Sequence, residues 1–387
     1  MKEVVIVSAV RTPIARQKSA LKDLDPSIYG GLVIQEAVRR AQISGEEVDD
    51  VIFGNCLAGG GNMARLSLLE AGLPVTVPGL TIDRQCGSGI NAVALAAERI
   101  LAGGCDIVVA GGTDSMTRTP YLLEPAPDAF SRMPPKFIRR PLAPKRIGDP
   151  LMGITAENLV EKYGISREEQ DQFAYSSQQK MARAMEQGRF DEQILPVTLT
   201  DKKGKEFIFA VDEHPRPDTT LEVLAKLRPA FKEGGSVTAG NSSGINDGAS
   251  ALVLMSGEEA EKRGLEPLGI VRDSAVAGVD PNIMGIGPVP STQTVLERNG
   301  LTLDDIDLIE INEAFAAQVL ACDRELHFDM DKVNVNGGAI AHGHPIAATG
   351  GMLVTKLVYE MKRRNVKRGL VTACCGGGQG ISLIIER

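Results

Sequence analysis

The chain has 387 residues with 42 basic and 50 acidic side chains. That length suggests about two or three compact units, and the net charge of −8 argues against nucleic acid as a general partner. Its six cysteines show no C-x-x-C spacing, and a core this large needs no disulfides, so a reducing, cytoplasmic compartment is expected.

Val4 to Val10 is an apolar run of strand length. Arg11-Thr12-Pro13 follows with no small-residue cleavage site, which reads as a first strand and not a signal. No apolar stretch approaches the roughly 20 residues of a membrane span. A helical pattern from about Ile28 to Ala41 and a strand from Val51 to Gly54 come next. A β-branched run then reaches Asp83, Cys86 follows, and an alanine-rich helix continues to about Ala102. The strand DIVVAGGTDS closes this stretch. Such alternation marks an α/β layer structure.

Cys86 falls where a strand hands over to a helix. Free N–H groups and the positive end of the helix dipole favour an anion there, so the thiol is expected to ionise near neutral pH. Gly87 and Gly89 are expected to allow a tight turn and close approach of a ligand to the backbone. The plainer alternative is one more small buried cysteine.

From Thr117 to about Ser243 the alternation stops. Prolines cluster between Pro120 and Pro150, a polar helix runs from about Arg167 to Gln187, and Glu206 to Ala210 reads as a short strand. This is the signature of an inserted loop domain. Within it, Arg132, Lys136, Arg139, Arg140, Lys145 and Arg146 form a basic run without an acid between Ala129 and Gly148. It is either a solvated loop or a contact for a phosphorylated ligand.

After Gly248 the strand ASALVLMS returns, and the first pattern then repeats. STQTVLERNGLTLDDIDLIEIN follows the logic of IQEAVRRAQISGEEVDDVIFGN, which puts Asn55 and Asn312 at equivalent strand ends. The glycine-started helix and strand from Gly350 to Cys375 echo Gly89 to Gly111, and GISLIIER echoes ASALVLMS. An internal duplication accounts for this: residues 1–116 with 244–266 as one half, 267–387 as the other, and 117–243 as the loop domain.

Three further loops carry chemistry, all in the second half: Asn312 to Ala316, Asn336 to Pro345, and Cys374 to Gly378. Ligands of α/β sheets gather outside the carboxyl ends of strands, so these loops and Cys86 are expected to share one crevice. Other readings compete. His342 and His344 form a possible metal pair, but no carboxylate or cysteine stands at ligand spacing. Gly376 to Gly378 suits phosphate, yet no Lys-Ser/Thr follows. Cys374-Cys375 reads as a redox pair, against the strain of joining adjacent cysteines.

Taken together, these four segments resemble the thiolase family. The similarity extends over essentially the whole chain, including MGITAEN (Met152 to Asn158), AKLRPAF (Ala225 to Phe231), TAGNSSGINDGA (Thr238 to Ala249) and MGIGP (Met284 to Pro288). The resemblance implies a fivefold-layered αβαβα core of duplicated halves, a loop domain that binds coenzyme A, and homodimers or homotetramers. It also implies reversible acyl transfer between acetyl-CoA and acyl-CoA, making or cleaving a 3-ketoacyl-CoA such as acetoacetyl-CoA. Coenzyme A is then a substrate, and no cofactor or metal is implied.

Carried over by position, Cys86 matches the acyl-accepting nucleophile and His344 the histidine that activates it. Cys374 matches the acid/base at the methyl carbon of acetyl-CoA. Asn312 matches the residue that holds an oxyanion-hole water, and the N–H groups of Cys86 and Gly376 match a second hole. Arg216, Phe231, Ser243, Met284, Phe315 and Met152 match coenzyme A or acyl-pocket positions. Leu151 departs from the histidine that short-chain biosynthetic relatives place before Met-Gly. His342, Cys375, Ala347 and Thr349 depart from the usual apolar residue, Ile, Gly and Ser. Neighbouring classes are a ketoacyl synthase, which the retained Cys374 opposes, a catalytically silent acyl-CoA-binding protein, and a thiol redox protein.

Overall fold

The computed structural model describes residues 3–57, 60–130 and 132–387. Ser131, inside the basic run, lies outside the described residues.

Nine strands build the core: β1 (Val4–Arg11), β2 (Asp50–Gly54), β3 (Gly79–Ile82), β4 (Ile107–Ser115), β5 (Asn246–Ser256), β6 (Gly269–Gly278), β7 (Leu308–Ile311), β8 (Arg368–Cys375) and β9 (Gln379–Glu386). Their order is β7-β8-β9-β6-β1-β5-β4-β2-β3. The β1 to β6 junction has only two paired positions, Val5↔Ile270 and Ile6↔Gly269, so the order divides there into two sheets.

Each sheet follows one plan. In the first, β2 runs parallel to β4, and β4, β5 and β1 are antiparallel in turn. In the second, β7 runs parallel to β8, and β8, β9 and β6 are antiparallel in turn. Even β3, parallel to β2, has a counterpart in the isolated parallel bridge Ile309↔Val333.

The longer helices are α1 (Pro26–Arg40), α2 (Met63–Glu70), α3 (Ser88–Leu101), α4 (Met152–Tyr163), α5 (Arg167–Glu186), α6 (Pro288–Arg298), α7 (Ala316–Leu326) and α8 (Ile346–Arg364). Strand periodicity sorts them into layers, because successive side chains point to opposite faces. Val108 and Ala110 of β4 pack with α3 and α8, and Val109 packs with α1 and α2. In the second sheet, Val371 and Leu383 face α3 and α8, while Leu370 and Ile384 face α6 and α7. The result is the expected fivefold αβαβα stack, with α3 and α8 as its middle layer.

Glycines bring the two middle helices together. A Cβ on Gly350 would stand 2.2 Å from the Ile90 nitrogen, and one on Gly89 2.5 Å from the Gly351 nitrogen. Two expectations are corrected here. The helix read as starting at Gly350 starts at Ile346, with the glycine pair inside it. Gly89 admits α8 and not a ligand, and Gly87 makes room for Cys375 Sγ, which its Cβ would meet at 2.6 Å.

The segment between β4 and β5 carries α4 and α5, and these helices reach the loops of the second half. Asn158 donates to the Asn282 carbonyl, and Ser177 donates to the buried Glu313 carboxylate. That carboxylate also accepts from Asn334 and from the Ile340 N–H, which braces the segment leading to His344. Among the described residues no helix is long and apolar enough to cross a membrane.

Candidate active site

The Cys86 turn is held by side chains on every side. Asp83 Oδ1 accepts from both the backbone N–H and the side-chain amide of Gln85, at 2.9 Å each. Ser88 Oγ accepts from the Arg84 N–H at 2.8 Å and donates to the Gln85 carbonyl at 2.7 Å. Gln85 itself has φ +47°, a left-handed conformation that costs a non-glycine residue about 1 to 3 kcal/mol. This bend, and not a flanking glycine, aims Cys86 out of a single 3₁₀ turn (Gln85–Gly87) ahead of α3.

The expected ionisation of Cys86 near neutral pH is not what the site provides. Burial pushes its pKa up to about 11, and the backbone N–H groups of Gly376 and Cys86 only partly oppose the rise. Removing a small anion from water outweighs the field of a helix start that begins two residues later. Cys86 therefore rests as a thiol and needs a base.

His344 is buried and suited to that need. Burial lowers its pKa to about 4, so the ring is neutral at working pH. Nδ1 lies 2.6 Å from Thr349 Oγ1 in the first turn of α8, and Nε2 lies 3.4 Å from the Asn312 amide nitrogen. With Nδ1 donating to Thr349, the Nε2 lone pair is the one left to take a proton; this tautomer is assigned from the partners. Asn312 Oδ1 is buried without a partner among the described residues, so a water donating to it would be held beside His344 Nε2.

Cys374 ends β8 in an apolar cluster with Met284, Phe315, Ala314, Ala156 and Val237, flanked by Met152. Burial drives its pKa well above the usual thiol range, and a charge on Cys86 would raise it further. Two thiolates this close repel, so the pair can ionise only one at a time. Cys375 points away, into the middle layer beneath Gly87.

Phe231 stacks edge-on against Phe315, with centroids 5.9 Å apart, and covers Gly153, where a Cβ would stand 2.0 Å from its ring. The Ser243 N–H donates to the Ala314 carbonyl, which places it beside the Asn312 loop. Arg216 is exposed and is tied through its N–H to Gln178, near His214, whose ring packs on Gly244. Thus Met152, Phe231, Met284 and Phe315 form one apolar wall, and Arg216 stands apart at the surface.

Two expectations change. His342 does not adjoin the His344 ring: its Nε2 faces Lys356 Nζ at 3.4 Å, and Lys356 bonds Glu310 at 2.8 Å in a buried ion pair. Burial and the Lys356 charge keep His342 neutral. In the basic run, Arg140 pairs with Asp83 and the Cys56 carbonyl, and Arg139 pairs with Asp149. These two arginines brace the Cys86 turn and their own loop, and Leu142 between them and Asp149 lies over Gly376 and Gly377.

Sequence reasoning passed over Asp114, Gln85, Cys56 and Asn246, whose Oδ1 accepts from the His344 N–H at 3.0 Å. Asp114 alone carried a readable signal, a carboxylate at the end of an otherwise apolar strand.

Family models for the thiolase N-terminal domain and the thiolase C-terminal domain match residues 4–258 and 265–387. The chain belongs to the thiolase family. An acetyl-CoA acetyltransferase of Syntrophomonas wolfei is 49% identical over all of this chain and 99% of its own length. One from Escherichia coli is 49% identical over the full length of both. The crystal structure of the Bacillus anthracis acetyl-CoA acetyltransferase superposes with a TM-score of 0.95 at 47% identity, covering all of this chain and 99% of the other. Human mitochondrial 3-ketoacyl-CoA thiolase superposes at 0.93 and 40% identity with the same coverage. The two thiolase models adjoin between β5 and β6, close to where the two sheets divide.

Proposed function

We propose that this thiolase is an acetyl-CoA C-acetyltransferase that makes and cleaves 3-ketoacyl-CoA through an acyl-Cys86 intermediate. The observation that carries the reading is the convergence of three loops on the Cys86 turn: Asn312 lies 3.4 Å from the buried His344 ring, Cys374 packs against Ala314 and Phe315 of the Asn312 loop, and Gly376 lies against Gln85 beside Cys86.

In the first step the Cys86 thiol attacks the acetyl-CoA carbonyl and its proton passes to His344 Nε2. The tetrahedral oxyanion is held by the Cys86 and Gly376 N–H groups, and coenzyme A leaves with the proton. One such donor contributes roughly 3 kcal/mol to a developing oxyanion. The product is still a thioester, so its reactivity is kept for the second step. With Cys86 acetylated, Cys374 gives up its own proton, which passes by way of solvent to His344 Nε2, and the resulting thiolate removes a methyl proton from a second acetyl-CoA. The enolate oxygen is held by the His344 Nε2–H and a water on Asn312, and the carbon attacks acetyl-Cys86, which leaves as the thiolate and takes the proton back from His344. A thiol whose pKa is raised makes a strong base once ionised, which suits a weakly acidic C–H.

The wall of Met152, Phe231, Met284 and Phe315 is assigned to the acyl group and pantetheine, and Ser243 and Arg216 to coenzyme A. No cofactor or metal takes part, and coenzyme A is a substrate. Six thiols, none in a disulfide, favour a cytoplasmic setting. A homodimer or homotetramer belongs to the same reading, supported by the exposed apolar side chains of Tyr121 and Phe137 on the loop domain and Leu80 on edge strand β3.

Thiolysis assayed across 3-ketoacyl-CoA chain lengths tests the reading. Acetoacetyl-CoA is expected to be cleaved, with the profile over longer chains reporting what Leu151 changes. Folded protein that cleaves no member of the series contradicts it.

A further inference from the structure

Asp114 is the penultimate residue of β4, is fully buried, and is not a member of the reacting set described above. Its carboxylate is surrounded by donors. Oδ1 accepts from the Leu57 N–H at 3.0 Å, the Asn55 side-chain amide at 3.1 Å and the Cys56 N–H at 3.3 Å. Oδ2 accepts from the Cys56 N–H at 3.2 Å and the Ala347 N–H at 3.0 Å.

These contacts join the two halves of the active site. Ala347 lies in the first turn of α8, directly after His344 and Pro345, where the helix end favours an anion. On the other side, Cys56 Sγ donates to the Gln85 carbonyl at 3.5 Å and approaches Ser88 Oγ at 3.4 Å, the hydroxyl that holds the Cys86 turn. The Cys56 carbonyl accepts from Arg140, which pairs with Asp83. One side chain of the first half thus fastens both the nucleophile turn and the helix that carries the base of the second half.

We propose that Asp114 is a positioning residue whose ionised carboxylate sets His344 against Cys86, and that protonating it loosens this registration. The inference rests on the thiolase reading of Cys86 and His344. Among the described residues every hydrogen-bonding partner of the carboxylate is an N–H, so a protonated acid would turn its own O–H toward donors.

The groups facing Asp114 from neighbouring elements are Asp83, Cys56 and Cys86 on the nucleophile side, Tyr29 from α1, Asp247 from β5 and the Ala347 N–H from α8. Among the described residues none is a lysine or arginine bonded to it. Burial, with a smaller contribution from nearby Asp83, lifts the carboxyl to about 7 against the pull of the backbone donors, so it titrates in the working range. The His344 ring, at about 4, titrates well below it.

The test is the rate of Cys86 acetylation by acetyl-CoA as a function of pH, in wild type, Asp114→Asn and Asp114→Glu. Wild type is expected to slow by up to about tenfold per pH unit below neutrality. Asp114→Asn is expected to react about 10- to 100-fold more slowly, chiefly in kcat, with the limb near neutrality gone. Asp114→Glu, which keeps the charge, is expected to retain a limb at reduced rate. A purely structural role lowers the yield or melting temperature of the variants and leaves the wild-type limb unchanged in Asp114→Asn. A flat wild-type profile between about pH 6 and 8, or a limb that survives in Asp114→Asn, overturns the proposal. If Asp114→Asn does not fold, the wild-type profile and Asp114→Glu still decide. Failure of the thiolase reading looks different, with no acetyl on Cys86 at any pH.

Discussion

Cys374→Ala is expected to leave acetylation of Cys86 intact while thiolysis and condensation fall by about 10²- to 10⁴-fold or more, the usual worth of a positioned acid/base. The reason is where the thiol sits. Cys374 lies against Met284 and Phe315, on the apolar side of the site, whereas His344, the base proposed for Cys86, is on the other segment. Acylation asks nothing of Cys374 beyond remaining neutral, which burial ensures. A neutral Cys374 imposes no electrostatic penalty on Cys86, so alkylation of Cys86 should be unchanged in the variant. Rapid-quench measurement of the acetylation burst against steady-state thiolysis separates the two half-reactions. Equal loss of both would show that the division of labour is wrong.

His344→Ala is expected to depress both half-reactions, acylation of Cys86 by about 10³-fold or more. With the Cys86 pKa near 11, less than about one thiol in a thousand is ionised at neutral pH, so the unassisted nucleophile is scarce. Acylation in the variant should then rise about tenfold per pH unit over the alkaline range, as thiolate replaces the missing base. In wild type the ring is already neutral, and protonation of His344 itself should inhibit only as pH falls toward about 4. A shallow alkaline profile in the variant would mean that another group deprotonates Cys86.

Much of the core was legible because its periodicities are set by burial on two faces. The duplication showed as repeated helix, turn and strand, and the same strand relations recur in β2, β4, β5, β1 and in β7, β8, β9, β6. Residue type identified Cys86, His344, Asn312 and Cys374 as candidates. Their electrostatics were not legible, since whether a thiol ionises depends on how much water the folded chain removes from it. The local cue at Cys86, a helix start, pointed the opposite way from the burial that prevails. Glycines misled for a related reason. A missing Cβ beside a nucleophile suggests room for a ligand, but at Gly89 and Gly350 the space is filled by another helix. His342 was read from its nearness to His344 along the chain, whereas the short helix Ala339–His342 turns it toward Lys356.

Asp114 shows a further limit. Its partners are backbone N–H groups from Cys56, Leu57 and Ala347, and such groups are present at every residue but proline, so no sequence pattern records the contact. Only the meeting of the two halves makes it visible.

The most direct test of the account is to incubate the folded protein with acetyl-CoA, quench, and locate the label by intact-mass and peptide mass analysis. One acetyl group per chain, on Cys86 and lost again on addition of coenzyme A, is the predicted result; an unlabelled protein, or an acetyl group on Cys374 instead, would contradict it.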